Sequence, residues 1–217
     1  MFSDEKTVDS IVQNGYTVKI GNYLEQGLAL FKQNIGGFIG YIAILLVFGL
    51  VIGLLPDSLS NLGSLIQLVV GGPLTAGFYI VAFKLLKGQK SEFADFFLGF
   101  NNFLPFFLVS LVSTLLTALG IILIVLPGIY LAVAYSFAVP LVVARKFDFW
   151  EAMEGSRKII TKNWFSFFGL LIVLGLINLV GALLLGLGLL VTVPVTVCTI
   201  AVAFKDIVGL PASDSTI

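Results

Sequence analysis

Residues 164–185 carry no charged side chain. Apolar runs longer than about 18 residues mark helices that cross a membrane. Four more runs of this kind cover about residues 35–55, 64–84, 104–126 and 187–204. A sixth, at 129–145, would be only about 26 Å long at 1.5 Å per residue, enough for a thin or locally pinched bilayer. Only 11% of the chain is charged, against about 25% in a soluble domain, and these charges avoid the apolar runs. The expected fold is all-α: a polytopic membrane protein with six transmembrane helices in three hairpins. A short interfacial amphipathic helix precedes each hairpin.

The basic residues support the even number of spans. Lys6, Lys19 and Lys32 precede the first span. Lys84, Lys87 and Lys90 follow the second, while Arg145, Lys146, Arg157, Lys158 and Lys162 follow the fourth. Lys205 follows the sixth, and the first, third and fifth connections hold no Lys or Arg. Six spans put every cation on one side, whereas five or seven would scatter them. By the positive-inside rule that side is cytoplasmic. The expected location is the bacterial cytoplasmic (inner) membrane, multi-pass, with both termini inside.

In chain order, residues 1–22 are polar and lack a signal peptide's basic start, apolar centre and cleavage site; they read as a mobile cytoplasmic tail. Tyr23 to Gln33 puts Leu24, Leu28 and Phe31 at helical spacing, which suits an interfacial helix or a cytosolic extension of the first span. Phe93, Phe96, Phe97 and Phe100 share one face of a second short helix, opposite Asp95, with Ser91 as its N-cap. Pro127-Gly128 signals a tight turn. Asp148 and Glu151 have capping-box spacing before a third helix, which carries Trp150, Met153 and Ile160 near one face.

Each hairpin is entered through Asn-x-x-x-Phe: Asn34 with Phe38, Asn102 with Phe106, Asn163 with Phe167. Each is left at a basic residue: Lys84, Arg145 or Lys205. Pro73-x-Thr75 and Pro194-x-Thr196 precede VAFK in the first and third units. These matches suggest an internal repeat. The membrane domain would span residues 23–209, in units of about 23–90, 91–147 and 148–209, with a cytoplasmic tail at 210–217. The Asn can cap the incoming helix and the aromatic can anchor at headgroup level; ordinary interface chemistry would produce the same corner.

Inside the spans, Gly36/Gly40, Gly49/Gly53 and Gly72/Ala76 have the spacing that lets helices approach closely. Pro73, Pro140 and Pro194 would kink the even spans, as fixed bends or as hinges. No Asp, Glu, Lys or Arg lies mid-span. The fifth span has about fifteen Leu, Ile, Val and Phe residues, worth on the order of −6 kcal/mol, so it could have carried a central charge costing about +3 kcal/mol. Its absence counts against proton relays and ion-coupled pumping. Asn178, with Thr75 and Thr196, is the candidate mid-membrane polar site; Asn178 could meet a substrate or bond to a neighbouring helix. Cys198 is the one cysteine, so it can form no internal disulfide. The chain has no histidine, hence no Ser-His pair and no HExxH site. No catalytic residue, cofactor or metal is expected. An enzyme would need Asp95, Asp148, Glu151 and Glu154 to fold together.

Phe149-Trp150-Glu151-Ala152, then Ser156, Thr161, Asn163 and Trp164, then the Leu-Gly-Leu-Ile-Asn run ending at Asn178, carry a resemblance. Leu126-Pro127-Gly128-Ile129-Tyr130 and the proline-containing last span also match. The chain resembles a group of bacterial integral membrane proteins of unassigned activity, similar to the membrane domain associated with some glycerophosphodiester phosphodiesterases. The phosphodiesterase domain itself is missing, so the resemblance implies a fold and a membrane and no activity. The expected role is non-enzymatic: a scaffold or lipid-associated accessory subunit. Arg157, Lys158, Lys162 and Trp164 are placed to meet anionic headgroups. The alternative is a transporter or permease component for a small or lipidic solute. Expected partners are membrane lipids and, beyond them, a homo-oligomer or a second membrane protein; nucleic acid is not expected.

Overall fold

The protein, as a computed structural model, is described over residues 7–211. Its described residues form ten α-helices and one 3-10 segment. Six helical stretches are long and apolar enough to cross a membrane: Ile35–Gly53, Asp57–Leu86, Phe103–Leu123, Val125–Arg145, Trp164–Leu183 and Leu189–Ile207. The chain is an all-α polytopic membrane protein.

The described part of the expected tail is ordered structure. Thr7 caps α1 (Val8–Asn14) by accepting from the Ser10 N–H, and Ile11 is buried. The helix packs on α8 (Phe149–Thr161). The rest of the expected tail at the N-terminus, with Lys6, lies outside the described residues, as does most of the C-terminal one.

α2 (Ile20–Gln33) packs along α10 (Leu189–Ile207). Its buried face is Tyr23, Gly27, Leu30 and Phe31, so Leu28, expected on the apolar stripe, is exposed. The reason lies at Gly27, where a side chain would overlap the backbone of Thr199. The closest helix approach, rather than apolar periodicity, sets which face turns inward.

α3 (Ile35–Gly53) and α4 (Asp57–Leu86) form the first hairpin, with Pro56 at the N-cap of α4. α4 has 30 residues, roughly 45 Å at 1.5 Å per residue, and runs unbroken through Pro73. The 3-10 segment Phe93–Phe100 lies along its second half. Three residues per turn change the expected face. Phe96 is fully buried and Phe93 and Phe100 are exposed. Asp95 is buried too, not opposite the rings. Glu92, not Ser91, is the N-cap, in a capping box with Asp95.

α5 (Phe103–Leu123) turns into α6 (Val125–Ala134) through the single extended residue Ile124. Pro127-Gly128, expected as the turn, lies in the first turn of α6 instead. Gly120 and Gly128 face each other so closely that a Cβ on Gly120 would come within 2.9 Å of the Gly128 backbone. That contact lets the hairpin close in one residue. The fourth span then breaks at Tyr135–Phe137 before α7 (Ala138–Arg145). Pro140 is the third residue of α7, where its missing N–H costs no helical bond. α8 follows, then α9 (Trp164–Leu183) and α10. Leu185 and Gly186, both left-handed at φ 55 and 76, make the last turn. α10, like α4, passes its proline without a break.

The even spans are inner and the odd spans outer. The apolar windows of α4, α6–α7 and α10 are 50%, 44% and 56% buried, against 17%, 17% and 22% for α3, α5 and α9. Phe83, Phe137 and Phe204, each fully buried, fill the junction of the inner spans, with Phe204 5.3 Å from Phe83 and 5.2 Å from Phe137. The outer spans and hairpin tips expose large apolar side chains, Leu54, Ile122, Leu123 and Leu185 among them. A continuous apolar surface of this extent is stable only against lipid or another protein.

Among the small-residue pairs, Gly72/Ala76 alone has both members in a tight crossing: Gly72 lies against the Phe106 backbone and Ala76 is fully buried. Gly36, Gly49 and Gly53 meet nothing within 4 Å, and Gly40 makes an ordinary contact with Phe93.

Candidate functional site

Three corners organise the basic end of the bundle. Asn34, Asn102 and Asn163 enter α3, α5 and α9 with nearly the same backbone, at φ/ψ of −145/55, −124/58 and −139/47. The aromatic four residues on is buried each time: Phe38, Phe106 and Phe167. These rings are core anchors; the headgroup position expected for them is not where they lie. Phe38 packs on Phe96 at 5.4 Å and Phe167 on Phe137 at 5.1 Å.

The Asn side chains are used differently. Asn34 accepts from the Gly37 N–H at 3.0 Å and donates to Ser91 Oγ at 2.9 Å. Asn163 accepts from Ser166 Oγ at 2.7 Å and donates to the Tyr16 carbonyl at 3.1 Å. Asn102 makes no capping bond, and its amide has no hydrogen-bond partner among the described residues. Asn102 and Asn163 therefore do not cap their helices as expected.

The basic residues at the span exits tie the inner helices together. Lys84 bonds Asp95 at 2.7 Å, a mostly buried pair that holds the 3-10 segment on α4. Asp95 also accepts from the Glu92 N–H at 2.8 Å. Breaking one side of such a pair costs about 3–5 kcal/mol, because the other charge stays buried. Arg145 donates to the Val208 carbonyl at 3.0 Å, and Lys205 to the Leu86 carbonyl at 3.1 Å. Tyr23 donates to Asp206 at 2.7 Å; burial, then this bond, raises its phenol well above the ordinary range.

The candidate headgroup residues lie on and just after α8. Arg157 binds Glu154 through two donors, at 2.8 and 2.7 Å, and Lys158 stands 4.0 Å from the same carboxylate. The Arg157 bond lowers the Glu154 carboxyl below its usual range. The three side chains together carry one net positive charge. Lys162 is exposed beside Gly15. Trp164 faces the protein: its Nε1 donates to the Tyr130 carbonyl at 3.2 Å and its ring stacks on Phe168 at 5.0 Å. α8 itself is docked, burying Ala152, Met153, Gly155, Ser156, Ile159 and Ile160, while Trp150, expected on the apolar face, is exposed.

The mid-membrane polar set divides in two. Asn178 donates to Thr196 Oγ1 at 2.8 Å and to the Leu174 carbonyl at 3.0 Å, joining α9 to α10. Thr75 lines a separate groove of about 250 Å³ between α3 and α4, with Gln67 and Gly71. Gln67, a polar residue inside α4, is an exposed member of that groove which composition alone does not single out.

Of the four acidic residues, Asp148, Glu151 and Glu154 share a groove with Asp9 between α1 and α8, and Asp95 is engaged elsewhere with Lys84. Asp148 is spent capping α8 through the Glu151 N–H at 2.8 Å, half of the capping box expected there. No group of three His, Cys, Asp or Glu suited to a metal ion occurs among the described residues. Sequence patterns gave no sign of Tyr16, Ser91 or Asp206 as partners, because each acts across long sequence separations. Comparison with family models, with curated proteins and with solved structures returned no match.

Proposed function

We propose that this chain is a non-enzymatic scaffold or lipid-associated accessory subunit of the bacterial inner membrane, with both termini cytoplasmic. The observation that supports it is the ring cluster of Phe83, Phe137 and Phe204, which fills the junction where a central translocation path would run. The engagement of Asn178 with Thr196 supports the same reading, since a transport site needs that polar group turned to a cavity. The exposed cations Lys158 and Lys162 supply the attraction to anionic lipid. The similarity to the membrane domain found with glycerophosphodiester phosphodiesterases belongs to this proposal.

The second reading, a transporter or permease component, draws on one observation, the break at Tyr135–Phe137 in an inner span. The experiment is native mass spectrometry of the full chain from mild detergent, paired with solute flux in proteoliposomes. The scaffold reading expects retained anionic lipid, less of it in Arg157→Ala/Lys158→Ala, and flux no greater than in empty vesicles. Unchanged lipid in the double variant removes the headgroup role; saturable flux replaces the scaffold with the transporter.

A further inference from the structure

The hairpin of α5 and α6 is pinched at Gly120 and Gly128. Further from the tip it holds a groove of about 390 Å³, with Ser113, Thr114 and Thr117 of α5 on one side and Tyr135, the first residue of the break, at its end. Hydroxyls inside a span can bond the carbonyl one turn back on their own helix. Thr196 and Thr199 do so, at 2.9 and 2.8 Å. Ser113, Thr114 and Thr117 do not, and the Tyr135 hydroxyl makes no hydrogen bond to another described residue. The Ser113 hydroxyl is also buried, without a partner among the described residues. A buried polar group left so carries the cost of its lost hydration. Four hydroxyl donors thus line one groove without acceptors.

The surroundings narrow what could supply the acceptor. No charged side chain lines the groove, which disfavours a phosphate. Ala118, Ile121 and Ala132, all exposed, form an apolar rim, so a ligand enters from the lipid. Thr117 and Ser113 lie six and ten residues before the end of α5 at Leu123, about 9 and 15 Å at 1.5 Å per residue. The deeper value is on the scale of half a hydrocarbon core of about 30 Å. A carbonyl oxygen accepts two hydrogen bonds and brings no donor that would itself need a partner at that depth.

We infer that this groove binds the carbonyl group of a molecule dissolved in the membrane, with the hydroxyls of Ser113, Thr114, Thr117 and Tyr135 as donors and the apolar rim around its hydrocarbon part. Two sources share this chemistry: the ring of a prenylated quinone, and the ester of a glycerolipid drawn below its usual level. The site deepens the lipid-associated reading and rests on it, but uses no cation of α8.

The test is native mass spectrometry of the full chain from mild detergent, titrated with decylubiquinone, with phosphatidylglycerol, and with the diether analogue of that phosphatidylglycerol. The diether keeps head and chains and lacks the carbonyls. The parent should retain one decylubiquinone, which assigns the site to a quinone, or should prefer ester to ether by about fivefold or more, which assigns it to a glycerolipid. Ser113→Ala, and Thr114→Val/Thr117→Val separately, should weaken the retained probe by about two- to tenfold per hydroxyl removed. Neither variant loses a bond within the protein, so unfolding midpoints without probe should stay parental while the rise on adding the probe shrinks. Equal retention of ester and ether with no quinone bound overturns the site, as does parent-like retention of the carbonyl probe in both variants. Ester and ether lipids carry the same head, so Arg157→Ala/Lys158→Ala should lower both alike. Failure of the α8 headgroup role therefore leaves the ester-to-ether ratio and the quinone result unchanged, and the two failures are told apart.

Discussion

Ser156 and Phe137 are joined across two helices: the Ser156 hydroxyl on α8 accepts from the Phe137 N–H at 3.0 Å and donates to the Ala134 carbonyl at 2.6 Å. One fully buried side chain thus satisfies two backbone groups at the break between α6 and α7. Buried backbone groups without partners are rare because each costs what its lost hydration was worth. Ser156→Ala leaves two of them. The expected loss is about 1–3 kcal/mol, read as a lower unfolding midpoint in detergent. Ser64→Ala, on an exposed turn of α4, should change nothing measurable. Equal stability of the two variants would mean that water reaches the break and replaces the hydroxyl.

Glycines of one composition class should separate sharply. A Cβ on Gly77 would overlap the Phe96 carbonyl, and one on Gly99 would overlap the Pro73 carbonyl. Gly77→Ala must therefore push the 3-10 segment off α4, at a cost of about 1–3 kcal/mol for overpacking. Gly49→Ala and Gly175→Ala meet open space and sit within helices. They should be neutral, or stabilising by up to about 1 kcal/mol from helix propensity. Unfolding midpoints of the three variants check this. A harmless Gly77→Ala would show that the 3-10 segment is not held against α4.

The helix α8 should lose some stability in acid. Its bonds to Arg157 depress the Glu154 carboxyl in the folded state. A depressed carboxyl contributes stability above its unfolded pKa and loses it as pH falls through the folded one. The window is therefore at and below the ordinary carboxylate range. The pair is more than a third exposed, so solvent screening holds its worth to about 1 kcal/mol or less. Hydrogen exchange of α8 against pH is the measurement. Glu154→Gln should flatten the acid-side change; an identical profile in that variant would assign the change to another carboxyl.

The spans were legible in the sequence because lipid demands long uncharged runs, and the six helices fall where those runs lie. What each span packs against was not legible. In water an apolar stripe marks the inward face, but in a membrane both lipid and protein accept it, so Leu28 and Trp150 belong to apolar faces and are exposed. Close approach is decided by glycine: Gly27, Gly72 and Gly77 sit at helix crossings, while Gly36 and Gly49, alike in sequence spacing, do not. The break in the fourth span was readable only as Pro140. Its position one turn earlier depends on Ser156, a partner nineteen residues away. The different surroundings of the three corners had no signature at all, since Asn102 looks like Asn34 and Asn163 until the described groups around them are seen.

The arrangement of three hairpins with every described Lys and Arg at one end is tested most directly by the sidedness of their tips. Cys198 is buried, so single substitutions Ile124→Cys, Leu187→Cys and Lys90→Cys can be read in the parent background. With a membrane-impermeant maleimide on intact bacterial cells, Ile124→Cys and Leu187→Cys should label at once, and Lys90→Cys only after the membrane is permeabilised. Labelling of the two tips from opposite faces, or of Lys90→Cys together with them, would contradict the three-hairpin arrangement.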